Sequence, residues 1–169
     1  MRIRVGLLAA ALAAWATAAP AQSQKMLLAG MSWVQAQGGT VPNNALVTGF
    51  TPRDYLYSCR GTIEGGVHLG KIRAGLAGCL IPVGGREHSV AVYEVLAGPP
   101  QKWMPATAGQ VPVRGVDVGR TADGQPLYVC RGVRGNELVP GKTGAGLRGC
   151  NVGVGGREVV LAIYEVLIQ

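Results

Sequence analysis

Charge, aromatic rings and histidine are all scarce in this sequence. Charged residues make up 15% and aromatics 5% of its 169 residues, with one phenylalanine and two histidines. So few rings, set among apolar neighbours, exclude a stacking platform for nucleic acid. Basic residues outnumber acidic ones 16 to 9, yet no two basic residues are adjacent. Scatter of that kind reads as a solvated surface, and the excess favours encounters with anionic surfaces such as polysaccharide or lipid headgroups. The sequence also lacks C-x-x-C, G-x-S-x-G and any pair of histidines at ligand spacing. Gly144-Ala145-Gly146-Leu147-Arg148-Gly149 spells G-x-G-x-x-G, and Gly141-Lys142-Thr143 spells the end of a phosphate-binding loop. Asn136 stands where that loop needs its first glycine, and no βαβ unit surrounds either motif, so both read as turns. No catalytic residue, no metal site and no cofactor is expected.

Long apolar runs are absent after the first 21 residues. Within those 21, Arg2 and Arg4 precede an apolar run from Val5 to Ala18 and the small-x-small tripeptide Ala19-Pro20-Ala21. This is the pattern of a cleaved secretory signal peptide, and it is too short for a membrane span. Removing the two arginines lowers the formal charge from +7 to +5. A periplasmic or secreted protein without a transmembrane span is expected, with residues 22–30 as a linker.

What the sequence does contain is one unit written twice. Cys59-Arg60-Gly61 recurs as Cys130-Arg131-Gly132, and Gly70-Lys71 as Gly141-Lys142. Gly84-Gly85-Arg86-Glu87 recurs as Gly155-Gly156-Arg157-Glu158, and Tyr93-Glu94-Val95-Leu96 as Tyr164-Glu165-Val166-Leu167, all at an offset of 71 residues. Upstream, Trp33 matches Trp103 and Gly49 matches Gly119 at an offset of 70, so one residue slips between Gly49 and Leu56. Loops absorb such a slip and strands do not. The repeats are placed at 31–98 and 99–169, joined at Gly98-Pro99-Pro100.

Helical periodicity is missing, glycine is dense and β-branched residues cluster, which predicts short strands. In the first repeat they fall near Met31–Gln35, Ala45–Gly49, Leu56–Arg60, Val67–Ile72, Gly78–Val83 and Glu87–Leu96, with counterparts in the second, the last near Glu158–Ile168. About 70 residues is marginal for an independent core, so the two repeats are expected to pack as one all-β domain, an antiparallel sandwich or pseudo-twofold barrel. Cys59 and Cys79 stand 20 apart, as do Cys130 and Cys150. In an exported chain these are disulfide cysteines. Within-repeat pairing, which stabilises by roughly 3 kcal/mol per loop of this length, is the favoured connectivity; 59–150 with 79–130, and a pairing of Cys59 with Cys130, stay open. Period-two reading sets Glu94 and Glu165 among apolar neighbours, where a carboxylate needs a partner. Arg60 and Arg131 are the candidates, within one repeat or across the two.

The ordered motifs resemble a known family. Trp33, Gly39-Thr40-Val41-Pro42, Leu56-Tyr57-Ser58-Cys59-Arg60, Leu69-Gly70-Lys71, Gly78-Cys79, Gly84-Gly85-Arg86-Glu87 and Tyr93-Glu94-Val95-Leu96 look like a DM9 repeat, and the second half repeats the series. The resemblance implies paired repeats of antiparallel sheet and a glycan ligand of mannose type, as in DM9-type lectins. Family lectins use a lysine that carries over to Lys71 and Lys142. They also use an aspartate whose aligned positions here hold Thr51 and Thr121, with Asp54 and Asp123 further along the same loops. The expected function is non-catalytic recognition of surface glycans. The alternative is a structural, protein-binding or self-assembling module of the cell envelope, and membrane action by analogy with natterin-like proteins ranks third. Trp33 and Trp103 are read as core residues before sugar-stacking ones.

Overall fold

The computed structural model describes residues 30–169. The signal peptide expected at 1–21 and nearly all of the linker at 22–30 lie outside them. The described chain holds fourteen strands and no α-helix. In the first repeat these are β1 (Ser32–Gln37), β2 (Val47–Phe50), β3 (Tyr55–Ile63), β4 (Gly66–Ile72), β5 (Cys79–Val83), β6 (Arg86–Val90) and β7 (Val92–Ala97). The second repeats the order with β8 (Lys102–Thr107), β9 (Asp117–Arg120), β10 (Pro126–Arg134), β11 (Glu137–Gly144), β12 (Cys150–Val154), β13 (Arg157–Leu161) and β14 (Ile163–Ile168).

All pairings are antiparallel, and two strands pair across the repeats as well as within their own. β2 lies between its own β3 and β11 of the second repeat, while β9 lies between β10 and β4. With β3–β4 and β10–β11 also paired, the strands β3, β2, β11, β10, β9 and β4 close a ring that is half from each repeat. The core follows the same logic. Its central cluster takes Met31, Trp33, Leu46, Leu69 and Leu96 from the first repeat and Val116, Val118, Leu127, Val129 and Leu167 from the second. Neither set is large enough to close a core alone, so burial of apolar area ties the halves into one domain. Two satellite clusters belong to single repeats, and each is centred on a fully buried disulfide, Cys59–Cys79 or Cys130–Cys150.

The sequence reading is corrected at one element. The single strand expected over Glu87–Leu96 is two, β6 and β7, broken by a bend at Ala91, and the second copy breaks likewise at Ala162. The apolar alternation runs through Ala91 undisturbed, but β6 pairs with β5 whereas β7 pairs with β1 and β3. The bend carries the chain from one partner set to the other.

A reciprocal clasp marks the pseudo-twofold axis. Gly84-Gly85 and Gly155-Gly156 close the β5–β6 and β12–β13 hairpins with φ of 61° and 81°, and 59° and 80°. Two successive residues at positive φ make the hairpin turn whose twist suits its strands, and glycine enters it without strain. The Glu87 amide donates to Gly156 O at 3.0 Å and the Glu158 amide to Gly85 O at 3.2 Å. In return the Gly85 amide donates to Glu158 Oε2 at 2.8 Å and the Gly156 amide to Glu87 Oε2 at 3.0 Å. The repeated Gly-Gly-Arg-Glu motif is thus the device by which each repeat holds the other's turn.

Candidate functional site

Strand β4 presents Lys71 toward the second repeat, and β11 presents Lys142 toward the first. Lys71 Nζ donates to Glu87 Oε1 at 2.5 Å and to Gly153 O. An ammonium has three protons, so one remains for a ligand. Around it lies a cavity of about 270 Å³ at the seam of the repeats. Thr51, Lys71, Arg73 and Glu87 of the first repeat and Glu137 of the second supply its polar lining, while Leu56, Leu76, Leu80 and Val139 supply apolar wall. The volume lies just below the roughly 300–1,000 Å³ range of small-molecule pockets.

Thr51 reaches this cavity from the loop after β2. Its hydroxyl accepts the amides of Arg53 at 3.2 Å and Asp54 at 3.0 Å, a turn that fixes the loop against the cavity. Asp54 stands at the rim, where its carboxylate lies 3.7 Å from Arg73 Nε. Lys71 and Thr51 therefore line one cavity, and Asp54 is linked to it through Arg73.

The second set is not brought together in this way. Thr121 donates to Asp123 within its own exposed loop and accepts the Gln125 amide at 3.0 Å. Lys142 is only 3% exposed. Its Nζ donates to Pro82 O and, at 3.2 Å, to Nδ1 of His68, itself 8% exposed. The position matching Glu87 is Glu158, which accepts Asn151 Nδ2 at 2.8 Å. Burial, opposed by the nearby Glu158 carboxylate, brings Lys142 down to about 8. Burial first, and then the Lys142 cation, brings His68 down to about 4. Its imidazole is neutral at neutral pH and accepts from the ammonium through Nδ1.

Arg60 Nε meets Glu94 at 2.7 Å and Arg131 Nε meets Glu165 at 2.8 Å, both within a repeat. The glutamates are 40% and 39% exposed, so each pair is half-open to solvent rather than buried. Each guanidinium also lies over a tryptophan, Arg60 at 4.4 Å from the Trp33 ring centre and Arg131 at 3.9 Å from Trp103. Trp33 is buried in the central core and Trp103 packs partly buried against it, each with one face covered by arginine. Among the described residues no group of three metal-ligating side chains occurs, and no helix is long and apolar enough to cross a membrane.

Sequence reasoning missed Glu87, Arg73, Glu137, His68 and Asn151. Glu87 was visible as part of a duplicated motif but carried no role until its contact with Lys71 was seen. His68 and Asn151 were visible only as departures from the repeat, since their counterparts are Val139 and Leu80.

Among curated proteins no match is found. A family model described as the DM9 repeat matches residues 8–90 and 53–161, two overlapping stretches that fit tandem copies. The chain belongs to the DM9 repeat family.

Proposed function

We propose that this protein is an exported, non-catalytic glycan-binding protein whose site is the seam cavity at Lys71. The family is one of carbohydrate-binding-like modules rather than of catalysts. The observation that carries the reading is a lysine with a spare proton beside carboxylates in a cavity at the seam of the repeats. Hydroxyl groups need donors and acceptors at fixed spacing, and Lys71 with Glu87 and Glu137 supplies both. Leucines and Val139 give an apolar wall for the C–H face of a pyranose. Lys71 and Arg73 face three carboxylates, Glu87, Glu137 and the Asp54 that pairs with Arg73, which disfavours an acidic sugar. Two disulfides suit an oxidising compartment outside the cytoplasm, in keeping with the signal peptide read at 1–21 and repeats at 31–98 and 99–169.

Titration of the mature protein with methyl α-D-mannopyranoside and a panel of neutral hexosides tests this. Lys71→Ala is expected to weaken binding at least about tenfold; it also strands the Glu87 carboxylate and lowers stability, so a cooperative thermal transition is the check that the variant is folded. Retention of no glycan at millimolar concentration would remove the reading. A second reading, a protein-binding or self-assembling envelope module, draws on the equivalent residues Val92 and Ile163. They are 58% and 79% exposed at the starts of β7 and β14, beside β1 and β8, the two strands that end the sheet order. Such edges accept an added strand. A mass that rises with concentration in light scattering supports it.

A further inference from the structure

We infer that the Lys142 site is a closed copy of the Lys71 site, that His68 is its plug, and that the chain is therefore monovalent. The inference rests on the reading of the Lys71 cavity as the glycan site. The two sites share a frame. Lys71 reaches Gly153 O of the second repeat, and Lys142 reaches Pro82 O of the first, at matching positions. What differs is the wall each lysine faces. Strand β11 lines the Lys71 cavity with Glu137 and Val139, two residues apart and thus on one face. The matching pair on β4 is Gly66 and His68.

Those two substitutions belong together. A β-carbon built on Gly66 would lie 2.5 Å from His68 Nε2, so the imidazole lies where the side chain of a residue such as Glu137 would begin. With glycine there, the ring lies down against the backbone and brings Nδ1 to Lys142. It thereby supplies the acceptor that a bound hydroxyl supplies in an open site. Arg73, at the rim of the open cavity, also has a glycine counterpart, Gly144. The carboxylate arrangement changes too. Glu87 Oε1 lies 2.1 Å from the point where a β-carbon on residue 153 would stand, and Gly153 leaves that point empty. Residue 82 is proline, which has a β-carbon, so Glu158 cannot copy the pose of Glu87. It bonds Asn151 instead.

The test reads closure without any glycan, then valency with one. Acetylation of the wild-type protein by an amine-reactive ester, followed by peptide mass spectrometry with each rate corrected for the amine's free-base fraction from its pH dependence, is expected to modify Lys71 at least about tenfold faster than Lys142. His68→Val, which copies Val139, and His68→Ala are both expected to raise the Lys142 rate about tenfold or more with the thermal transition still cooperative. Methyl α-D-mannopyranoside should bind one site in the wild type and two in His68→Val. Equal rates in the wild type, or Lys142 still protected in both variants, would overturn the inference, as would a reactive Lys142 that adds no second site in a protein that binds the first. Opening of Lys142 with no mannoside bound anywhere supports the plug and removes the glycan reading. Two sites in the wild type would keep the glycan reading and remove the plug.

Discussion

Lys71 and Lys142 stand at the same step of the same strand, and their surroundings have parted. Lys71 keeps a carboxylate at 2.5 Å and an opening to the surface, whereas Lys142 has a carbonyl, an imidazole and almost no exposure. Each ammonium has two acceptors, but of different kinds. At Lys71 charge is neutralised beside a cavity that opens to the surface. At Lys142 charge is tolerated through neutral acceptors, and desolvation shows as a fall to about 8. Duplication supplied the frame of strands, disulfides and clasped turns. The wall residues at 66, 68, 80 and 82 then set what each lysine does, since their counterparts 137, 139, 151 and 153 all differ from them.

The sharpest way to break this contrast is to remove the two matching glutamates in turn. Glu87→Ala strips a mostly buried lysine of its carboxylate and the Gly156 amide of its acceptor, and should cost about 3–5 kcal/mol. Glu158→Ala removes bonds to Asn151 and the Gly85 amide but no direct ion pair, and should cost about 1–2 kcal/mol. Urea unfolding of both variants measures the gap; equal losses would mean that the Lys71 pair is not special.

An intermediate effect lies in the pH dependence of His68. Its folded value, about 4, is below its ordinary 6.5, so between those values the unfolded chain binds more protons. Its contribution is complete above pH 6.5 and is lost as pH falls through about 4. The facing groups are the Lys142 cation, which disfavours protonation, and the Glu64 and Glu158 carboxylates, which favour it. Because other acids titrate in the same window, the readout is wild type minus His68→Val. The difference in stability should shrink by about 2 kcal/mol from pH 7 to pH 4. A constant difference would show that the imidazole is not buried beside the ammonium.

The smallest effect separates the two loops. Asp123→Asn changes an exposed side chain bonded within its own turn and should alter stability by less than about 0.5 kcal/mol, with glycan affinity unchanged. Thr51→Ala removes the acceptor of two amides that hold a loop against the Lys71 cavity, costing about 1 kcal/mol and weakening affinity several-fold. Calorimetric melting and the hexoside titration report both, and equal behaviour of the two variants would erase the difference between the loops.

The repeat, the all-β class and the glycine turns were legible because each is written locally: in spacing, in composition, in dipeptides with a demanded φ. The strand break at Ala91 was not, because alternation of Val90, Val92 and Glu94 continues across it and only the change of pairing partner reveals it. The cross-repeat pairing of β2 and β9 was not legible for a related reason. Four-residue strands such as Val47–Phe50 carry too little pattern to name a partner. At the site, Lys71 and Thr51 were legible through the resemblance, while Glu137 and Gly153 were not, since they come from the other repeat and meet Lys71 only through topology. The 68/139 difference was visible as a mismatch, and the space beside Gly66 explains what it does.

The joint at Gly98-Pro99-Pro100 has a meaning beyond connection. A ring built half from each repeat is what two separate single-repeat chains would form as a symmetric dimer, and in such a dimer every mutation appears at both sites at once. A histidine that closed one site would close the other. Writing the two copies into one chain lifts that constraint, so selection can act on each site alone. Inherited symmetry then leaves a scaffold in which one half is free to recognise while the other is free to hold it together.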